Sequence, residues 1–127
     1  MKNIVSLLLI ILFFGCGIFS SINPPKWIIG SWEDASGTMT FTFTSNNMVI
    51  TSKISDPLDY KESYNRNEIV ENIKNNGIYE FTAFIVFEEY GIDIKHTYRF
   101  VLQSSNSLRF YLITDKKDNS PTVLFKK

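Results

Sequence analysis

Seven consecutive residues, Thr38-Met39-Thr40-Phe41-Thr42-Phe43-Thr44, alternate a hydroxyl side chain with a large apolar one without a break. Successive side chains of an extended strand point to opposite faces, so this run separates a buried side from a wetted one only as a strand. A helix would spread both sets around its circumference. The turn residues Ser45, Asn46 and Asn47 then send the chain back through Met48 to Ile54 as a hairpin partner. Upstream, Trp27 to Trp32 is expected to be a first strand, ended by Asp34, Ser36 and Gly37.

The second half of the chain repeats this logic. Ile78 to Glu88 is apolar on both faces, with Phe81, Ala83, Ile85 and Phe87 opposite Thr82, Phe84 and Val86. Such a strand is expected to be covered on both sides. From Ile94 to Gln103, Tyr98, Phe100 and Leu102 share one face, with Thr97, Arg99 and Gln103 on the other. Leu108, Phe110 and Leu112 line the inner side of the next strand, Arg109 and Tyr111 its outer side, and Thr122 to Phe125 is a last short strand. Between the halves, Asp56, Pro57 and Asp59 have the order of a helix start and predict one short helix near residues 57–65. Its apolar side, Leu58, Tyr60 and Tyr64, is the candidate cover for the doubly apolar strand. Ile69, Val70 and Ile73 fit helical spacing and a short strand about equally. The fold class is therefore all-β: an antiparallel meander of about eight strands, which hides its edges most economically by closing into a small β-barrel.

Charge and rare residues exclude several function classes. Lys+Arg and Asp+Glu number 13 each, so no net field gathers nucleic acid. The single cysteine, Cys16, rules out an intrachain disulfide, and the single histidine, His96, removes most zinc and Ser-His-Asp chemistry. His96 reads as a strand-end residue. Glu88 and Glu89 are neighbours on a strand and face opposite ways, so they do not make an acid/base pair. Asp115 and Asp118, with Lys116 and Lys117 between them, lack the glycine and terminal glutamate of a calcium loop. The expectation is a protein that is not an enzyme, with no cofactor and no metal.

The first residues carry a different message. Met1-Lys2-Asn3 is a short basic start, and the apolar run Ile4 to Phe14 is too short for the ~20 residues that cross a hydrocarbon core. It has the length of a secretory h-region, and Gly15-Cys16 follows where cleavage would fall. This arrangement resembles the lipobox of bacterial lipoproteins, although Phe13 and Phe14 stand where that family has leucine and a small residue. The resemblance implies a signal peptide over 1–15 cut before Cys16, acylation of that cysteine with chains such as palmitate, and a tether over 16–25. Gly17 stands where an aspartate would mark inner-membrane retention. The expected location is thus the cell envelope, on the periplasmic or surface face of the outer membrane. Without its leader the chain stays close to neutral, so the acyl anchor rather than the protein surface is expected to bind lipid.

Residues 26–127 form the predicted barrel domain, and Gly30-Ser31-Trp32 at its start resembles the Gly-x-Trp step of lipocalin-like domains. The closest likeness is the small lipocalin-like domain of bacterial lipoproteins. In that family the tryptophan closes the narrow end of the barrel and a late arginine lies across it. The resemblance assigns these structural roles to Trp32 and to Arg109, with Arg99 as the second candidate. The second family motif is echoed only by Thr114-Asp115, with Lys116 in place of tyrosine. The chain is also short for a full lipocalin and lacks its disulfide.

The inward-facing rings imply the function. Phe41, Phe43, Phe81, Tyr98, Phe100 and Phe110 are expected to line a site for a small apolar molecule, with Tyr98 offering a polar tip. The alternative is a filled barrel that serves as an interaction module for another envelope or surface protein. Replacing Cys16 by alanine is expected to move the protein from the membrane pellet to the soluble fraction. Membrane retention of Cys16→Ala on fractionation would rule out the acyl anchor.

Overall fold

The computed structural model describes residues 22–63, 69–87, 92–114, 117–118 and 120–127. Its strands are β1 (Gly30–Asp34), β2 (Met39–Phe43), β3 (Met48–Ser52), β4 (Leu58–Asp59), β5 (Ile69–Lys74), β6 (Ile78–Phe87), β7 (Ile92–Ser104), β8 (Ser107–Thr114), β9 (Lys117–Asp118) and β10 (Thr122–Lys126). All pairings are antiparallel, and nine strands lie side by side in the order β4-β3-β2-β1-β10-β8-β7-β6-β5. The two-residue β9 pairs with the far end of β8. Two meanders, β1–β4 and β5–β8, are thus joined through β10, whose Lys126 and Leu124 pair with Trp32 and Asp34 of β1. The end of the chain stitches its start into the sheet.

The sheet is strongly curled. Phe41 and Phe43 of β2 touch Phe100 of β7, and Phe41 touches Phe110 of β8, although β1 and β10 lie between β2 and β8, and β8 also before β7. Side chains that far apart in strand order meet only when the inner face bends onto itself. The core on that face includes Ile28, Trp32, Met48, Tyr79, Leu108 and Leu124 beside the aromatic set.

Closure is where sequence and structure part. The closed barrel expected above is an open half-barrel: no ladder joins β4 to β5 among the described residues. The reason lies in the length of β4. After Leu58 and Asp59 pair with Ile50 and Val49, Tyr60 already enters a single helical turn, α1 (Tyr60–Ser63), so β4 offers only two residues to a ladder. The helix predicted near 57–65 therefore begins later than expected, and residues 64 and 65 lie outside the described residues. Asp59, not Asp56, organises its start: Asp59 Oδ1 accepts from the Lys61 amide at 3.0 Å and from Asn47 Nδ2 at 2.9 Å. Nor does this turn cover the outside of β6. Tyr60 is 1 % exposed and packs edge-on against Phe81 and Tyr98 on the inner side, across the open flank.

The first strand also starts later than expected. Pro25, at φ −65°, leads into a 3-10 turn over Lys26–Ile28, closed by the Ile28 amide on the Pro25 carbonyl at 3.1 Å. Extended pairing begins only at Gly30, whose φ of +125° is strained for any L side chain. Within the expected tether over 16–25, Ile22 is 2 % exposed and belongs to the core, and residues 16–21 lie outside the described residues. The ambiguous stretch at Ile69 resolves as β5, with a bulge between Glu71 and Ile73. Asn75 closes the β5–β6 turn by accepting from the amides of Gly77 at 3.0 Å and Ile78 at 2.8 Å.

The β1–β2 turn is built on Asp34. Partial burial raises its carboxyl pKa, but bonds from the Met39, Thr38 and Gly37 amides and the Ser36 hydroxyl outweigh that and hold it below the usual 3.8. A lowered folded-state pKa contributes stability that is present above the unfolded value and is lost as pH falls through the folded one. Asp34→Asn is therefore expected to cost stability at neutral pH, and the gap from the parent protein to close below pH 3.8. Urea melts of both proteins across that range check it.

Candidate functional site

The six residues assigned to a binding interior do converge. Phe81 and Tyr98 are direct cross-strand partners on β6 and β7, and Phe100 and Phe110 on β7 and β8. Alternation puts all four on the inner face, where β2 brings Phe41 and Phe43 onto them. Ring centroids lie 4.8 Å apart for Phe41–Phe110, 5.0 Å for Phe43–Phe100 and 5.1 Å for both Phe81–Tyr98 and Phe100–Phe110. These are the separations of rings in mutual contact, in stacked and edge-on arrangements. The most accessible of the six, Phe110, is 8 % exposed.

Tyr60 completes this cluster, 5.3 Å from Tyr98 and 5.6 Å from Phe81. It was visible in the sequence only as part of a thin helical face, because nothing local to it signals that α1 turns inward. Tyr79 continues the stack from Phe81, and its hydroxyl donates to Glu71 Oε2 at 2.8 Å. Burial, then this bond and the charge of Glu71, raise its pKa, so the phenol stays protonated and donates.

The closure pair differs from the expectation. Trp32 is fully buried, and its Nε1 donates to the Ile28 carbonyl at 2.9 Å. The cation over its ring is Lys126, with Nζ 5.6 Å from the centroid. Arg109 lies exposed on the outer face, paired with Val101 and Val123 and beside Gln103, whose amide oxygen accepts from it. Strand parity explains the exchange: Lys126 is directly opposite Trp32 and shares its face, whereas Arg109 neighbours two inward residues, Leu108 and Phe110. Arg99 also points outward and bonds Glu80.

Two shallow grooves on the outer face are lined by described residues. The first, of about 380 Å³, runs over β5–β8 and is floored by Thr82 and Glu80, with Val70, Phe84 and Ile113 at its apolar rim. Asn72 Nδ2 donates to the Thr82 hydroxyl at 2.7 Å, that hydroxyl bonds Thr97 at 2.9 Å, and Arg99 Nε donates to Glu80 Oε1 at 2.7 Å. β6 thus presents a satisfied polar network outward, where an apolar strand covered by another layer was expected. The second groove, of about 520 Å³, lies over β1–β3 and is lined by Thr38, Thr40, Thr51, Ser52, Lys53 and Lys127 among others. The threonines of β2 are not a lone row: Thr40 pairs with Thr51, and the Thr42 hydroxyl bonds Ser31 at 3.1 Å. Only register, which a single sequence does not display, brings those strands together.

His96 sits half-buried at the end of the inner face, 6.3 Å from Tyr98. Asp118 is in β9, while Cys16, Glu88, Glu89, Asp115 and Lys116 lie outside the described residues. Among the described residues, no group of three or more His, Cys, Asp and Glu side chains is placed to hold a metal ion, and no helix is long and apolar enough to cross a membrane. Comparison of the chain with protein-family models, with curated proteins and with solved structures finds no match in any of the three.

The Glu80–Arg99 pair yields a test of how the outer network is held. The Glu80 side chain is 9 % exposed and that of Arg99 40 %. Arg99→Met is expected to cost about 1–3 kcal/mol by leaving a nearly buried carboxylate without its donor, at the low end because the arginine is half in water. Adding Glu80→Leu should recover most of that loss. Urea midpoints of the two variants decide it.

Proposed function

We propose that this chain is a cell-envelope lipoprotein, anchored through Cys16, whose lipocalin-like domain is a non-catalytic interaction module with a filled interior. The mutual packing of Phe41, Phe43, Phe81, Tyr98, Phe100 and Phe110, with Tyr60 added to them, carries this reading. A carrier of small apolar molecules gains its affinity by burying the ligand against a lining that is otherwise exposed to a cavity. Here those faces are already buried against one another, and opening them would forfeit ~2 kcal/mol or more per ring. Recognition then falls to the outer face, whose two grooves offer hydroxyls, an amide, an acid and several cations to a protein partner.

The lipocalin-like assignment is supported by two features. Gly30 stands two residues before the buried Trp32 at the start of β1, and the first strand pairs with the last. Lys126 in the place of the family's arginine and the open flank beside β4 are departures from that pattern. The lipoprotein assignment is supported by the leader and lone cysteine.

Native mass spectrometry of protein extracted gently from membranes tests the choice between module and carrier. The expected spectrum shows the acylated chain with no further non-covalent mass. A fatty acid or lipid retained in stoichiometric amount would restore the carrier reading.

A further inference from the structure

The charge of this domain is near zero in sum but not evenly placed. At one end of the half-barrel, β2 turns into β3, β5 into β6 and β7 into β8, and β10 finishes. Four exposed lysines gather there. Lys26 lies in the 3-10 turn that Trp27 ties to the Asn75 carbonyl at 2.7 Å, and Lys74 directly precedes Asn75. Lys126 donates its amide to Asn106 in the β7–β8 turn, and the Lys61 amide donates to Asn47 in the β2–β3 turn. Against these four lysines stand two acids whose side chains are described at this end: Asp59, which accepts from Asn47 and Lys61, and Glu71, which accepts from Tyr79 and from the Asn23 amide at 3.2 Å. Among the described side chains of the opposite end, Asp34 and Asp56 stand with Lys53 and Lys95, two of each sign.

The chain enters the fold at the lysine end. Ile22 is buried in the core, and the amide of Asn23 is bonded to Glu71. Cys16 is six residues upstream of Ile22. A span of that length reaches at most ~20 Å even when fully extended. An acyl chain on Cys16 therefore cannot hold the domain far from the bilayer, nor present its opposite end to it.

We infer that the lysine-bearing end, with Lys26, Lys74 and Lys126 at its centre, is a docking face for an anionic membrane surface, so that the anchored domain stands on the bilayer in one orientation. This deepens the lipoprotein reading and rests on it. The short span sets which end faces the lipid, and the lysines hold that end down through headgroup charge. The sequence-based expectation that the surface ignores anionic lipid considered only the summed charge, whereas the potential at a membrane depends on which charges lie within a Debye length of it. The outer-face grooves are then carried upright, with the β1–β2 turn farthest from the lipid.

The test uses the full chain, purified from membranes and reconstituted into vesicles of phosphatidylglycerol and phosphatidylcholine that carry a headgroup spin label. Single cysteines are introduced as Asn76→Cys in the β5–β6 turn and Ala35→Cys in the β1–β2 turn, both exposed positions. Each is coupled to a fluorophore. An acylated Cys16 has no free thiol, so each variant takes up one dye. The Asn76→Cys label is expected to be quenched several-fold more than the Ala35→Cys label. That difference should shrink in vesicles of phosphatidylcholine alone, and when Lys26, Lys74 and Lys126 are changed together to glutamine, at about fivefold in partitioning per lysine. Unchanged circular dichroism verifies that the triple variant is folded. Equal quenching at both positions with one dye per chain overturns the proposal, as does a difference indifferent to the lysines and to lipid charge. Two dyes per chain would mean that Cys16 is free, which removes the anchor and the proposal with it.

Discussion

Phe41 and Phe43 reach Phe100 across three intervening strands, Phe41 reaches Phe110 across two, and the curvature of the sheet follows from those contacts. A flat sheet would leave these rings on one wet face. Bending it brings β2 over β7 and β8, removes both sets from water, and converts a ribbon into a half-barrel. Burial of a large side chain is worth ~2 kcal/mol or more, whereas bending a naturally twisted sheet costs little. Pairing of β1 with β10 fixes how the two meanders face each other, since it sets the register in which the rings meet.

The open flank is the consequence of a length mismatch rather than of weak packing. β4 ends after two residues, and α1 turns Tyr60 into the space that another strand pair would have filled. Its ring contacts two strands of the opposite meander, so a side chain spans the flank where the ladder stops. At the end where the β5–β6 and β7–β8 turns lie, the segment from Ile22 to Ile28 also packs on the core. Ile22 and Ile28 join the core, while Trp27 and Asn23 are tied by hydrogen bonds to the β5–β6 region. Among the described residues, the inner rings therefore pack against side chains of the fold itself.

The outer face is less uniform than alternation implies. On β1–β3 it is a field of hydroxyls with lysines at its edge, and on β5–β8 a bonded network of Asn72, Thr82, Thr97, Glu80 and Arg99 between apolar rims. Glu80 and Thr82 are buried on this face, in a groove lined by Val70, Phe84, Lys95, Arg99 and Ile113 among others. A polar network of this kind is stabilising only when complete, and here each of these five side chains has a partner.

Much was legible in the residues alone because strand parity is a local property. The run from Thr38 to Thr44, and those around Tyr98 and Phe110, placed the inward rings and the turns between them correctly from order alone. Parity also permitted only one side for Arg109. The family likeness, which sets a late arginine against Trp32, conflicts with that alternation, and the alternation prevails. What only the tertiary structure decided are the quantities that depend on distant pairings: that Lys126 lies opposite Trp32, that Glu80 meets Arg99, that Tyr60 turns inward, and that four lysines share one end. A single chain displays the period of its strands but not their register, and register determines which side chains from remote segments come to stand within a few ångströms of each other.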